Sequence, residues 1–253
     1  MKIYSNAPTD WKDLQNKVAQ LLTESGYTCE IEKDVQTVRG TINIDIFAVS
    51  KQDNPQNIFF CECKQWDTPV PKSMIHSFRT VVTDFGANHG LIISKSGFQS
   101  GAYDAAQNTN ILLLNWEELE NLFWKKWVSR KQPEISKQTK HLRDYVIGSF
   151  TLEKLQLTKP EQKRFDELFK EYLSCVIFCA NQGFINAATG EFNTDSFEKG
   201  ITEAEDDFGI KYSSYEDYYN YLVEKAQEGI QAFDDLFKKP LRESEEKIKF
   251  TKR

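Results

Sequence analysis

The segment 41–49 reads TINIDIFAV, and its strict alternation predicts a strand with a charged group inside a hydrophobic pattern. Ile42, Ile44, Ile46 and Ala48 fall on one face, and Asn43, Asp45, Phe47 and Val49 on the other. A second strand is expected over 57–64, with Ile58, Phe60, Glu62 and Lys64 on one side and Phe59, Cys61 and Cys63 on the other. The Asp53-Asn54-Pro55 cluster between them predicts a turn, so the two strands pair as a hairpin. Two carboxylates and one ammonium would then converge at one point of the sheet. Glu62 and Lys64 project to the same side, about 7 Å apart along the strand.

The rest of the first half alternates helices and strands. Asp10 or Thr9 caps a helix that runs to about Glu24, with Trp11, Leu14, Val18, Leu21 and Leu22 as its apolar face and Gly26 as its stop. A short strand follows at 28–33. After the hairpin come a helix from Pro71 to Phe85, a strand at 90–94, a helix at 98–107, a strand at 111–114 and a helix beginning near Trp116. The order αβββαβαβ predicts an α/β fold, a mixed central sheet flanked by helices.

From Val128 to about residue 150 the chain turns polar and basic, with Arg130, Lys131, Lys137, Lys140 and Arg143, and reads as a linker. Residues 151–253 then read as a mostly α-helical C-terminal domain. Thr158-x-x-Glu161 and Ser213-x-x-Glu216 are capping boxes, with expected helix stops at Gly183 and before Pro240. The tyrosines Tyr212, Tyr215, Tyr218, Tyr219 and Tyr221 read as helix-packing surface, or alternatively as a nucleobase-stacking face. The organisation is therefore a domain at 1–127, a basic linker at 128–150 and a helical recognition or regulatory domain at 151–253.

The bulk numbers narrow the class. The start lacks an apolar run of the signal-peptide kind, and no stretch is long enough to span a bilayer, so the expectation is a cytoplasmic protein with no membrane partner. The five cysteines lack zinc-site spacing and read as reduced, mostly buried thiols. A net charge of −6 argues against a protein held on nucleic acid by bulk charge alone. Enzymes acting on phosphodiesters can supply the missing positive charge as metal ions.

The charged strand residues carry the chemistry. A partly buried ion pair with a solvent-facing Asp45 is the plain alternative. Yet a buried ion pair is often no better than packed apolar residues, so three such groups side by side mark a site. Two close carboxylates repel unless a cation neutralises them, and oxygen ligands without nearby His or Cys favour Mg²⁺ or Mn²⁺.

Asp45, a sixteen-residue spacer and Glu62-Cys63-Lys64 resemble the PD-(D/E)xK nuclease signature. Gly26-Tyr27 after the first helix, Arg39-Gly40, Ile44-Asp45-Ile46 and Ser94-Lys95-Ser96-Gly97-Phe98 resemble, in the same order, the Mrr-type restriction-endonuclease-like domain. The likeness spans roughly 10–120 and leaves the C-terminal half uncovered. It implies a metal-dependent endodeoxyribonuclease with Mg²⁺ or Mn²⁺ on Asp45, Glu62 and the Cys63 carbonyl. Lys64 would act on the attacked water or the developing charge. Gln15 would stand where the family often has a helix Glu, supporting the metal site without adding charge. DNA-backbone contacts would come from Lys72, Lys95, Arg130 and Lys131. A homodimer or larger assembly, a defence-system partner and a role in restriction or anti-phage defence are further implications. The alternatives are a non-catalytic DNA-binding or assembly module on a nuclease fold, and a nuclease acting on RNA or structured DNA.

Overall fold

The computed structural model describes residues 1–50, 55–148, 156–180 and 192–238, so the expected turn residues Asp53 and Asn54, the helix stops Gly183 and Pro240, and positions 149–150 lie outside it. The chain forms two compact units that divide between Arg130 and Lys131.

The first unit is a five-stranded sheet in the order β1-β2-β3-β4-β5, built from β1 (Tyr27–Thr37), β2 (Gly40–Ser50), β3 (Ile58–Lys64), β4 (His89–Ser94) and β5 (Ile111–Leu114). The first three strands pair antiparallel, and β3, β4 and β5 run parallel. The helices are α1 (Trp11–Glu24), α2 (Lys72–Phe85), α3 (Ser100–Ala106) and α4 (Trp116–Gln138). The architecture is the mixed sheet with flanking helices that the sequence pattern predicts. β1 is five residues longer than the expected 28–33, because its extension pairs with the first residues of β2.

Helix α1 starts where Asp10 accepts the Asp13 amide at 2.8 Å. Its Leu14, Val18, Leu21 and Leu22 are buried and it packs on β1, β2 and β3, while Trp11, in the first turn, stays 54% exposed. The opposite face holds the main hydrophobic cluster, where Phe47, Phe60 and Ile92 meet Ile75, Phe78 and Val82 of α2 and Ala102 and Ala105 of α3.

The alternation expected for β2 breaks in one place. Ile44 joins the cluster of Phe47 and Phe60 instead of following Ile46 to the α1 side. The cause is local. Glu32 on β1 has a φ of +52°, the ladder lacks a Glu32–Asp45 pair, and the pairing of β2 with β3 begins only at Ile46↔Cys61. The strand twists at Asp45, and the faces exchange there.

The stretch read as a basic linker is helical. It forms the end of α4 and then α5 (Lys140–Ile147). Val128, Gln132, Ile135, Thr139, Leu142 and Val146 are buried at alternating spacings of four and three, one helical stripe among the charges. Pro133 sits inside α4 without ending it.

In the second unit, α5 and α8 (Tyr215–Phe237) pack with α6 (Lys159–Ala180), against which α7 (Thr194–Phe208) also lies. The Tyr145 ring stacks on Phe233 at 5.2 Å, and its hydroxyl donates to the Asp234 carboxylate. The Thr158 amide donates to Glu161 at 2.8 Å, as the capping box requires, whereas the second cap falls one residue later than expected, on Ser214 with Asp217. Tyr212, Tyr215, Tyr218 and Tyr219 are buried among one another and neighbouring rings, which is the packing reading of the tyrosine cluster. All five cysteines are free thiols, four of them buried. Among the described residues no helix is long and apolar enough to cross a membrane.

The core makes a sharp demand at Gly90 of β4. A Cβ there would meet Ile111 at 2.6 Å, Phe78 at 2.8 Å and Val82 at 2.9 Å. Gly90→Ala is expected to lower the unfolding free energy by about 1–3 kcal/mol through overpacking. At Gly101, in α3, an added Cβ would meet nothing nearer than 3.5 Å. Gly101→Ala should be neutral or gain up to about 1 kcal/mol from helix propensity. Denaturant unfolding of the two variants checks the contrast.

Candidate active site

The site is built where β2 and β3 part. Register would place Asp45 opposite Glu62, but the ladder stops one pair short. The Asp45 side chain takes up the bond instead, with Oδ2 accepting the Cys63 amide at 2.7 Å. On the other side of β3, the Lys64 carbonyl accepts the Lys95 amide at 3.0 Å. Odd residues of β3 therefore turn their backbone groups toward β2, and even residues turn theirs toward β4. Since the N–H and C=O of one strand residue project to the same side, the Cys63 carbonyl is directed toward Asp45.

Glu62 and Lys64 follow the expected face of β3 and form an ion pair of 2.5 Å, with side chains only 19% and 15% exposed. The Lys64 ammonium also sits 5.2 Å from the centre of the Trp66 ring. Burial pushes the Glu62 carboxyl above its ordinary pKa, and the nearby negative charge of Asp45 pushes it further, against the pull of Lys64. Burial also raises the Cys61 and Cys63 thiols, so neither is a ready thiolate.

Each carboxylate keeps one oxygen without a hydrogen-bond partner among the described residues: Oδ1 of Asp45 and Oε2 of Glu62. Among those residues no cluster of three or more His, Cys, Asp or Glu forms a ready cage. Two acidic oxygens plus one carbonyl suit a cation that keeps much of its water shell, as Mg²⁺ does.

The other expected site residues separate. Gln15 lies on α1 and is 3% exposed. Lys72 opens α2, exposed, with its stem beside Gly101. Lys95 is held at the site's edge by its amide bond to Lys64 and an exposed 2.8 Å ion pair with Asp67. Arg130 stands elsewhere, with its guanidinium over Gly26, where a Cβ would approach its Nε to 2.1 Å. Gly26 adjoins Tyr27, which pairs with Ser50, five residues up β2 from Asp45 and so about 17 Å along the sheet. Lys131 belongs to the second unit and faces Glu134 at 3.9 Å.

The Ser94-to-Phe98 motif fixes the floor of the site. The Gly97 carbonyl accepts both the Ser94 hydroxyl and the Val70 amide, at 2.9 Å each, and Gly97 itself has a φ of +72°. Ser96 donates to the Trp66 carbonyl at 2.6 Å. The loop after β4 is thereby tied to the segment that follows Lys64. Sequence reasoning missed Trp66 and Gln65 as site neighbours, although both directly follow the ExK triplet.

With this geometry the first unit has the plan of a restriction-endonuclease-like domain. Residues 7–123 match the family model of the Mrr catalytic domain, described as a restriction endonuclease. The match covers the stretch whose motifs resemble the Mrr-type domain, and it does not extend to the helical second unit. No curated protein matches the chain. Among solved structures, the crystal structure of a protein of unknown function, AF1548, is similar at 20% identity and a TM-score of 0.38, over 64% of this chain and 96% of that one.

The raised Glu62 pKa has a signed consequence. A carboxyl that holds its proton more tightly when folded favours the fold at low pH, and that contribution is lost as pH rises through the folded-state pKa. In Glu62→Gln the charge is gone, while an acceptor for Lys64 remains. In EDTA, the variant should gain stability over the parent as pH rises from the acidic range to neutrality. The gap should close again below the ordinary carboxylate range. Thermal unfolding across pH checks this, and a gap that widens toward acid would overturn it.

Proposed function

We propose that the chain is a metal-dependent endodeoxyribonuclease of the restriction type, hydrolysing DNA phosphodiesters at Asp45, Glu62 and Lys64. The observation that carries this reading is the pair of carboxylates, each with one oxygen engaged and one left over: Asp45 accepts the Cys63 amide and Glu62 pairs with Lys64. Asp45, Glu62 and that carbonyl would hold Mg²⁺ or Mn²⁺, which when bound acidifies water and offsets phosphate charge. The cation would also relieve the repulsion that raises Glu62.

The residues divide the remaining work. Lys64, once Glu62 is engaged elsewhere, has an ammonium free to hold the attacking water or the developing negative charge. Trp66 limits the positions this ammonium takes. Gln15 is assigned a supporting role from its place on α1. Lys72 and Lys95 would hold substrate phosphates, and Lys95 would exchange its exposed partner Asp67 for DNA. Arg130 would meet DNA at a distance from the cut, and Lys131 would add a contact from the second unit. A dimer would allow both strands to be cut, the second unit would read or restrain the target, and the setting would be bacterial defence in the cytoplasm. These finer assignments rest on the family likeness of residues 7–123 and on the chemistry of cutting a duplex.

Supercoiled plasmid incubated with Mg²⁺ or Mn²⁺ should be nicked or linearised, and EDTA should stop the reaction. Asp45→Ala and Lys64→Ala are each expected to cut at least about 100-fold more slowly, the usual effect of losing one charge-stabilising group. Full activity in either variant would sink the assignment. Mn²⁺ should also raise the melting temperature of the parent but not of Asp45→Asn, since a ligand stabilises only the state that binds it. An equal rise in both would remove Asp45 from the metal site.

A further inference from the structure

A cavity of about 510 Å³ opens at the carboxyl ends of the three parallel strands, with Gln65, the residue after Lys64, in its lining. This is the edge at which open α/β sheets receive ligands, and the volume is that of a small-molecule site. Leu14, Ile93 and Trp116 give it apolar walls, and Gln65, Lys95 and Glu117 give it polar edges. Trp116 is held in place by stacking on Tyr4, at 6.0 Å and 28°.

The polar set points to a class of ligand. Lys95 and Glu117 both line the cavity, so its lining sums to no net charge, and a wholly anionic ligand gains little by entering it. Its apolar walls suit a flat, neutral group. The Gln65 carboxamide has no hydrogen-bond partner among the described residues, so it has both donor and acceptor to offer, and Glu117 adds an acceptor. Flat faces against apolar walls and a polar edge read by an amide and a carboxylate are what an unstacked nucleobase needs. Gln65 follows Lys64 directly in the chain, and the amide of Lys95, another lining residue, donates to the Lys64 carbonyl, so the cavity adjoins the backbone of the proposed catalytic lysine.

We propose that this cavity receives a nucleobase of the substrate strand, unpaired or extruded from the duplex, next to the phosphate that is cut. The proposal rests on the nuclease reading and adds a substrate class to it: DNA with an unpaired or easily unpaired base is preferred over rigid duplex.

The test uses the Lys64→Ala chain, so that DNA stays intact during measurement. It is titrated into a single strand carrying 2-aminopurine at alternate positions and an end label. The fluorescence of 2-aminopurine reports the environment of the base, and the anisotropy of the label reports binding. A saturable change in base emission is expected. Adding Ala7→Trp, at the exposed rim, or Gln65→Ala should suppress it and weaken single-strand binding about tenfold, the weight of one base contact, while duplex binding holds. If both variants fold, by thermal unfolding, and leave emission and affinity unchanged, the proposal is overturned. Deoxyadenosine monophosphate that competes away the emission change supports one shared cavity. Mononucleotide binding without any change from the strand overturns the proposal in favour of a free nucleotide. A parent chain that cuts plasmid with Mn²⁺ while the base signal is absent sinks this proposal alone. A base signal without cutting keeps the cavity and sinks the catalytic reading.

Discussion

The bond from the Cys63 amide to the Asp45 carboxylate organises the first unit. In an ordinary antiparallel ladder that amide would find a backbone carbonyl. Here β2 twists away at Asp45 opposite the left-handed Glu32, and a side chain replaces the missing backbone partner. The same bond fixes the end of β3, and with it the directions of Glu62 and Lys64. The break in the ladder and the assembly of the site are thus one event. Without the twist, Asp45 would sit in a continuous sheet, its carboxylate tied to no strand amide.

Much of this was legible in the sequence because alternation of period two is a strong signal. Phe60 had to be core, so Glu62 and Lys64 had to share its face, and that holds in the structure. What alternation could not show was its own interruption. Ile44 and Ile46 look equivalent along the chain, and only the conformation of Glu32, on another strand, separates them. The same limit applies to 128–147, where one buried residue per turn lies among many charges and a proline. Composition there outweighed periodicity, and a packed helix read as a linker. Arg130 illustrates a third case. Its charge suggested a phosphate, but its guanidinium occupies the space that the missing side chain of Gly26 leaves, so the Gly26-Tyr27 pair shapes helix packing as well as the turn.

The electrostatics say what a bound cation would change at the site. Two carboxylates and one ammonium leave a net negative charge in a largely buried place, inside a chain that is itself negative. DNA would be repelled by such a site. A divalent cation held by Asp45 and Glu62 would reverse the local sign and leave Lys64 without its partner, so metal and phosphate would favour each other's binding. The resting ion pair is then a holding position: it neutralises Glu62 in part, keeps Lys64 in place over Trp66 and prevents a lone buried charge.

The loop after β4 connects this chemistry to the neighbouring cavity. Its backbone is bound to Lys64 on one side and to Val70 on the other, which ties it to the end of β3. Gln65, one residue past Lys64, is placed by the same bonds. A ligand seated against Gln65 would therefore bear directly on the position of Lys64, and a misfitted base would be felt at the ammonium. Selection of a substrate and alignment of the reacting groups would then share one short segment, Glu62 to Trp66, in place of a distant reading head. On this view the first unit would discriminate among DNA structures by itself, and the helical second unit would be left to decide when and where it acts.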